Sequence, residues 1–138
     1  MRYLGVDLGA RRIGLALADS DTHVVSPLCV IQARVGAEVN ARAILDVAAT
    51  YGAKAIVIGL PLNMDGTEGP QAKQSRALAA AIGKVEGTTV HLHDERLTSH
   101  AADRRLLDRG LTRAGKKARQ DAVAAQLLLE SFLAIRPP

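Results

Sequence analysis

The spacing of apolar and polar positions changes several times along the chain, and each change marks an element. In RYLGVDLGARRIGLALAD, Arg2 to Asp19, the residues Tyr3, Leu4 and Val6 form a short apolar strand that runs into Asp7. Ile13, Leu15 and Leu17 then alternate with small residues as a returning strand. Gly9, Ala10, Arg11 and Arg12 between them predict a tight turn, so this stretch reads as a β-hairpin with a carboxylate inside its first strand. A polar turn over DSDTHVVSP precedes a third short strand around Leu28, Val30 and Gln32. Val39, Ala43, Ile44, Val47 and Ala48 recur at helical spacing, which predicts a helix from Ala37 to Tyr51 stopped by Gly52. Ala53 to Gly59, AKAIVIG, is a continuous apolar run with β-branched residues, the pattern of a strand covered on both faces.

The next stretch, GLPLNMDGTEGP, is punctuated by Gly59, Pro61, Gly66, Gly69 and Pro70, and predicts a long irregular loop leaving that strand. A helix from Gln71 to Lys84 follows, with Pro70 near its first position. Thr89 to Asp94 is a further strand running straight into Glu95. Ser99 is an N-cap for a helix through Arg109 closed by Gly110, and a last helix extends from about Ala118 to Ile135. Three strands, then helix, strand, helix, strand and helices predict an α/β protein with a mixed five-stranded sheet flanked by helices, the order of a ribonuclease H-like fold. That layout makes the first strand central and brings Asp7 near the C-terminal end of the Thr89–Asp94 strand.

Composition narrows the partners. A chain of 138 residues, 48% hydrophobic, suits one domain over residues 1–138 with one core. With aromatic residues at 2% and no Trp, the stacking platforms of single-strand binding modules are poorly supplied. The formal net charge of +4 suits a polyanionic partner. Cys29 is alone, which excludes an intramolecular disulfide framework and fits a reducing, cytoplasmic setting. No run reaches the roughly 20 apolar residues of a membrane span, so no membrane partner is expected.

Asp7, Glu95 and Asp121 carry the candidate chemistry, because each acid sits where an acid is locally awkward: within a strand, at a strand end, and at the start of the last helix. Each also has an ordinary explanation: Asp7 as a turn cap, Glu95 in a surface ion pair with an arginine, Asp121 favouring a helix dipole. A divalent metal, Mg²⁺ or Mn²⁺, explains all three together, and Gly5, Gly9 and Gly14 leave room beside Asp7 for a phosphate. Arg104, Arg105, Arg109, Arg113, Lys116, Lys117 and Arg119 flank the approach to Asp121, and Arg12 and Arg96 adjoin the other two acids. Such a run is ordinarily a solvated face, but beside a carboxylate site it suits a phosphate backbone. Asn63, Asp65 and Gly66 form a loop expected to close over the site. His91, His93 and Glu95 alternate like a zinc site but lack a completing ligand, and Cys29 has no base beside it in sequence.

Four stretches, GVDLGARRIGLA, IVIGLPLNMDGTEGPQA, HDERLTS and KKARQDAVAAQLLLE, span nearly the whole chain. In them the chain resembles the YqgF family, also called RuvX or Holliday junction resolvase-like. Its members are generally regarded as nucleases for the 5′ end of the 16S ribosomal RNA precursor. The resemblance implies a ribonuclease H-like fold similar to RuvC resolvases, a metal-dependent acidic site at Asp7, Glu95 and Asp121, and a structured RNA or branched DNA substrate, with the pre-ribosomal particle as a partner. Resolvase-type sites often carry a further acid one helical turn after the last, and Ala124 stands there in this chain. Two other classes compete. An actin- or Hsp70-type ATPase shares the D-x-G hairpin but needs a second lobe, and a non-catalytic ribosome-assembly factor would use the basic surface alone.

Overall fold

The computed structural model describes residues 1–98 and 113–135, and for 113–119 only the backbone. Strands β1 (Arg2–Leu8), β2 (Arg12–Asp19) and β3 (Val24–Gln32) come first, then helix α1 (Ala37–Tyr51), strand β4 (Ala55–Leu60), helix α2 (Pro70–Gly83) and strand β5 (Thr89–Asp94). A single 3₁₀ turn, Glu95–Leu97, follows β5, and the last described element is helix α3 (Arg113–Ile135). The five strands lie in the order β3-β2-β1-β4-β5, so β1 is central. It pairs antiparallel with β2 and parallel with β4, and β4 is parallel to β5. The expected mixed five-stranded sheet is therefore present.

Side-chain alternation divides the core in two. Leu4 and Val6 of β1, Ile13 and Leu15 of β2, and Ile56 and Ile58 of β4 pack with Ile44 of α1 and Leu78 and Ile82 of α2. On the opposite face Tyr3, Ala16, Ala18, Ala55 and Val57 meet Ala125, Leu128, Leu129 and Phe132 of α3. The second face is built mainly of small strand residues, and α3 lies close against it.

Several boundaries differ from the periodic reading. Val24–Pro27 belong to β3 rather than to a turn; the reversal is confined to the residues before Val24, where His23 takes φ 58° and its N–H donates to the Asp19 carbonyl at 2.9 Å. Pro27 is tolerated because β3 is the edge strand, and a register shift opposite Leu15/Ala16 leaves Leu28 as the extra residue. Strand β4 starts at Ala55, because the Ala53 N–H is used by the end of α1, bonding the Ala48 carbonyl at 2.8 Å. Gly52 ends α1 in the left-handed conformation, as expected of a helix stop. Helix α2 begins at Pro70, at its first turn. Helix α3 begins at Arg113, earlier than the expected Ala118. The expected helix from Ser99 to Arg109 lies outside the described residues.

Candidate active site

Strand β1 presents Leu4 and Val6 to the α1–α2 side, so Gly5 and Asp7 face α3. Asp7 is paired with Gly14 of β2. On its other side, one step beyond the Val6–Ile58 pair, stands Gly59 of β4. Asp7 is thus flanked by two residues without side chains, and each vacancy receives an acidic residue. A Cβ at Gly14 would collide with the Asp121 backbone carbonyl, and one at Gly59 would collide with the Glu95 carboxylate. A Cβ at Gly5 would stand 2.6 Å from Leu129 Cγ and 2.9 Å from the Ala125 carbonyl oxygen. Asp121, Ala125 and Leu129 recur every four residues on the stripe of α3 that rests on these glycines. The expectation that Gly5, Gly9 and Gly14 leave room for phosphate is therefore corrected. The room at Gly5 and Gly14 is filled by α3, and Gly9 closes the hairpin turn, donating to the Arg12 carbonyl at 2.9 Å.

Asp121 is not at a helix start either. With α3 beginning at Arg113 it lies more than two turns in, so favourable interaction with the first-turn dipole does not account for it. Its carboxylate is held by Arg12 from the hairpin turn, whose Nε donates to Oδ2 at 2.6 Å, with both side chains partly exposed. Glu95 opens the 3₁₀ turn one residue beyond β5. Asp94 caps that turn by accepting from the Arg96 backbone N–H at 2.9 Å, and its carboxylate also takes the Arg96 guanidinium as a fork, with Nη2 to Oδ2 at 2.8 Å and Nε to Oδ1 at 3.1 Å. The hydrogen bonds from Arg96, against a smaller desolvation, hold the Asp94 carboxyl below its ordinary range. Arg96 thus pairs with Asp94 and leaves Glu95 to face Gly59.

The loop after β4 is more ordered than its glycines and prolines suggested. Leu62 and Glu68 form an antiparallel bridge. Inside it the Asn63 N–H donates to the Thr67 carbonyl at 2.9 Å and the Gly66 N–H to the Asn63 carbonyl at 2.8 Å. Gly66 has φ 87°, which favours glycine, whereas Gly69 has ordinary φ of −89°. Asn63 and Asp65, expected to face a substrate, bond to Thr67 instead: Asn63 Nδ2 donates to Thr67 Oγ1 at 2.9 Å, and Thr67 Oγ1 donates to Asp65 Oδ1 at 2.6 Å. Arg96 Nη1 reaches the Asn63 and Met64 carbonyls at 3.5 and 3.4 Å, tying the loop to the turn that carries Glu95.

His93 is buried at 8% exposure, its Nε2 lies 2.8 Å from Ser131 Oγ, and both His91 and His93 pack on the Phe132 ring. Ser131 donates its one hydroxyl proton to the Leu97 carbonyl, so Nε2 of His93 is the donor in the other bond. Burial pushes the His93 pKa down, partly opposed by Asp94. These contacts bind β5 and the 3₁₀ turn to α3. Cys29 is half-buried and burial raises its pKa, which suits packing rather than nucleophilic attack. Arg104, Arg105 and Arg109, and the side chains of Lys116 and Lys117, lie outside the described residues.

Oxygen donors of this type suit a hard divalent cation. Among the described residues no three acidic, histidine or cysteine side chains already converge as a closed ligand cage. Mg²⁺ is commonly held by one or two carboxylates with water and phosphate rather than by a closed protein cage. The Asp121 carboxylate is already paired with the Arg12 guanidinium. Among the described residues no helix is long and apolar enough to cross a membrane.

Known proteins agree with this architecture. A chain from Anaeromyxobacter sp. (strain K), named provisionally as a pre-16S rRNA nuclease, is 44% identical over 138 residues, the whole of both chains. One of the same name from Myxococcus xanthus is 40% identical, over 100% of this chain and 91% of its own. The fold matches Thermus thermophilus RuvC in complex with a Holliday junction substrate, at a TM-score of 0.61 and 15% identity over 98% of this chain and 96% of that one. It also matches the fowlpox virus Holliday junction resolvase, at a TM-score of 0.57 and 13% identity over 97% and 98% of the two chains. These likenesses establish a ribonuclease H-like fold. The family model described as "RuvX: Holliday junction resolvase" matches residues 1–135, and the chain belongs to this family of nucleases.

Proposed function

We propose that the chain is a metal-dependent hydrolase that cuts phosphodiester bonds in the 5′ region of the 16S ribosomal RNA precursor, acting in the cytoplasm on structured RNA, including RNA within a pre-ribosomal particle. The observation that carries this reading is the placement of Glu95 and Asp121 in the two glycine vacancies beside Asp7. The shared name of the relatives points to the same substrate. Asp7, Glu95 and Asp121 would hold Mg²⁺ or Mn²⁺, which when bound supplies charge stabilisation at the reacting phosphate and an activated water. Asp7 is the central member, on the strand between the other two. Arg12 neutralises Asp121 and would offer its guanidinium to a phosphate oxygen of the bound strand. Arg104, Arg105, Arg109, Lys116 and Lys117 supply the charge that offsets repulsion between the acids and the nucleic-acid backbone. Arg96 holds the loop of Asn63, Asp65 and Gly66 against the turn of Glu95.

The family description favours a second substrate, the four-way DNA junction. Both are tested together by incubating the purified protein with an end-labelled 5′-extended 16S precursor fragment and with a synthetic junction, with Mg²⁺, Mn²⁺ or EDTA. Metal-dependent cleavage of the precursor is expected, and Asp7→Asn should abolish it while preserving the circular dichroism spectrum. An intact precursor beside a cleaved junction would move the substrate to DNA, and wild-type cleavage by the Asn variant would overturn the acidic site.

A further inference from the structure

We infer that Met64 is a base-contacting residue: the Leu62–Glu68 loop is a preformed mount that holds the Met64 side chain outward, as an apolar wedge against a nucleobase of the substrate strand beside the scissile phosphate. The inference rests on the nuclease reading and adds a specificity-determining contact to it. A single exposed apolar side chain is ordinary on a protein surface. This one is distinguished by the hydrogen-bonded loop that carries it and by the tie between that loop and the turn of Glu95. Met64 is 92% exposed, while Asn63, Asp65, Thr67 and Glu68 all spend polar atoms on contacts within the protein. Thr67 is bonded through its backbone N–H and its hydroxyl to Asp65, and Glu68 is locked to Arg76 of α2 at 2.6 Å.

The mount is tied down at three places. The Leu62–Glu68 bridge closes its base, Gly66 at φ 87° closes its tip, and Arg96 holds its outer carbonyls, including that of Met64. Arg96 adjoins Glu95, whose carboxylate covers Gly59 next to Asp7, so the loop that carries Met64 is tied to the turn of Glu95. A preordered backbone lowers the entropy lost on binding, and methionine is soft and unbranched enough to fit the face of any base. Apolar wedges of this kind open base steps in duplexes, and stacking on bases tolerates sequence variation. With aromatic residues at only 2% of the chain, a methionine takes the role an aromatic side chain would otherwise fill.

The test uses the full chain carrying Asp7→Asn, with Mg²⁺, and the precursor RNA labelled with 2-aminopurine at each nucleotide flanking the cleavage position mapped with the wild type. Fluorescence should rise severalfold at one nucleotide as it leaves its neighbours. Adding Met64→Ala should remove that rise and weaken binding about tenfold, with no change in the salt dependence of affinity, because no phosphate contact is lost. Met64→Leu should retain most of both. Thermal melting should be unmoved by either substitution, since the side chain is outside the core. Equal fluorescence and affinity with Met64→Ala, in an RNA that wild-type protein cleaves, would overturn the wedge and leave the nuclease reading standing. Loss of association with small ribosomal subunits, with free-RNA binding unchanged, would assign Met64 to a protein contact and equally overturn it. Failure of the wild type to bind or cleave the RNA would overturn both readings.

Discussion

The two faces of the sheet use the same strands for opposite purposes. Toward α1 and α2 the strands present Leu4, Val6, Ile13, Leu15, Ile56 and Ile58, fully buried branched side chains that close the space with carbon. Toward α3 the alternate positions are Gly5, Asp7, Gly14, Ala16, Val57 and Gly59, which keep the helix close and leave slots for carboxylate-bearing residues. Bulk on one face stabilises the fold, and the lack of bulk on the other lets α3 and Glu95 approach the strands. A mutation should therefore affect stability or activity according to the parity of its position in the strand.

The sharpest way to break that contrast is to exchange the two kinds of position. Ile58→Ala, on the aliphatic face, should cost about 2–5 kcal/mol of stability in denaturant unfolding while the folded fraction cleaves normally. Gly14→Ala, on the other face, should cost about 1–3 kcal/mol, because the new methyl meets the Asp121 backbone and α3 must move. Gly59→Ala should change stability by less than about 1 kcal/mol, since the Glu95 side chain can swing away, yet should lose most activity. Near-wild-type cleavage by Gly59→Ala would show that Glu95 is not needed where it stands.

A smaller effect tests the charge on the acidic face. If Arg12 competes with a metal for Asp121, Arg12→Gln should raise Mn²⁺ affinity by up to about fivefold in calorimetric titration, the scale of a partly exposed ion pair. Weaker Mn²⁺ binding would mean that Arg12 organises the site rather than shields it.

The smallest effect concerns His93 on the same face. Burial lowers its folded pKa below the unfolded value of about 6.5, so the unfolded chain takes up a proton first as pH falls. Its contribution to stability is present above that value and declines as pH drops from there toward the folded pKa. His93→Gln should flatten the stability profile in that window, leaving the decline at carboxylate pH, to which Asp65, Glu68 and Asp94 contribute through their lowered pKa values. An unchanged slope near pH 6 would remove His93 from the account.

Element types were legible from sequence wherever the pattern is local. The 3.6-residue period of α1 and its Gly52 stop, the Pro70 start of α2 and the β-branched run of β4 all lie where periodicity places them, within two residues. Asp7, Glu95 and Asp121 stood out in the sequence because an acid in or beside an apolar element is costly without a reason, and the structure sets Glu95 and Asp121 against the glycines that flank Asp7. What stayed hidden depends on partners distant in the chain. Val24–Pro27 extend β3 only because β2 lies on one side and the other side is an unpaired edge, where Pro27 needs no donor. The glycines announced an absence of side chains without saying what fills it, and at Gly14 the occupant comes from 107 positions later, Asp121. The loop after β4 carries the residues of a flexible connector, and only the contacts among Asn63, Asp65 and Thr67 make it a built object. Met64 gave no signal, since exposure at one methionine is invisible in composition.

The bond between Arg12 and Asp121 joins the first hairpin to the last described helix. A polypeptide emerges from the ribosome N-terminus first, so Asp7 and Arg12 exist long before Asp121 is made. Until α3 is released, the acidic face lacks both its third carboxylate and the helix that covers Gly5 and Gly14. If Asp7, Glu95 and Asp121 act together as proposed, the nascent chain would be inert beside the RNA-rich particle that is synthesising it until α3 has emerged.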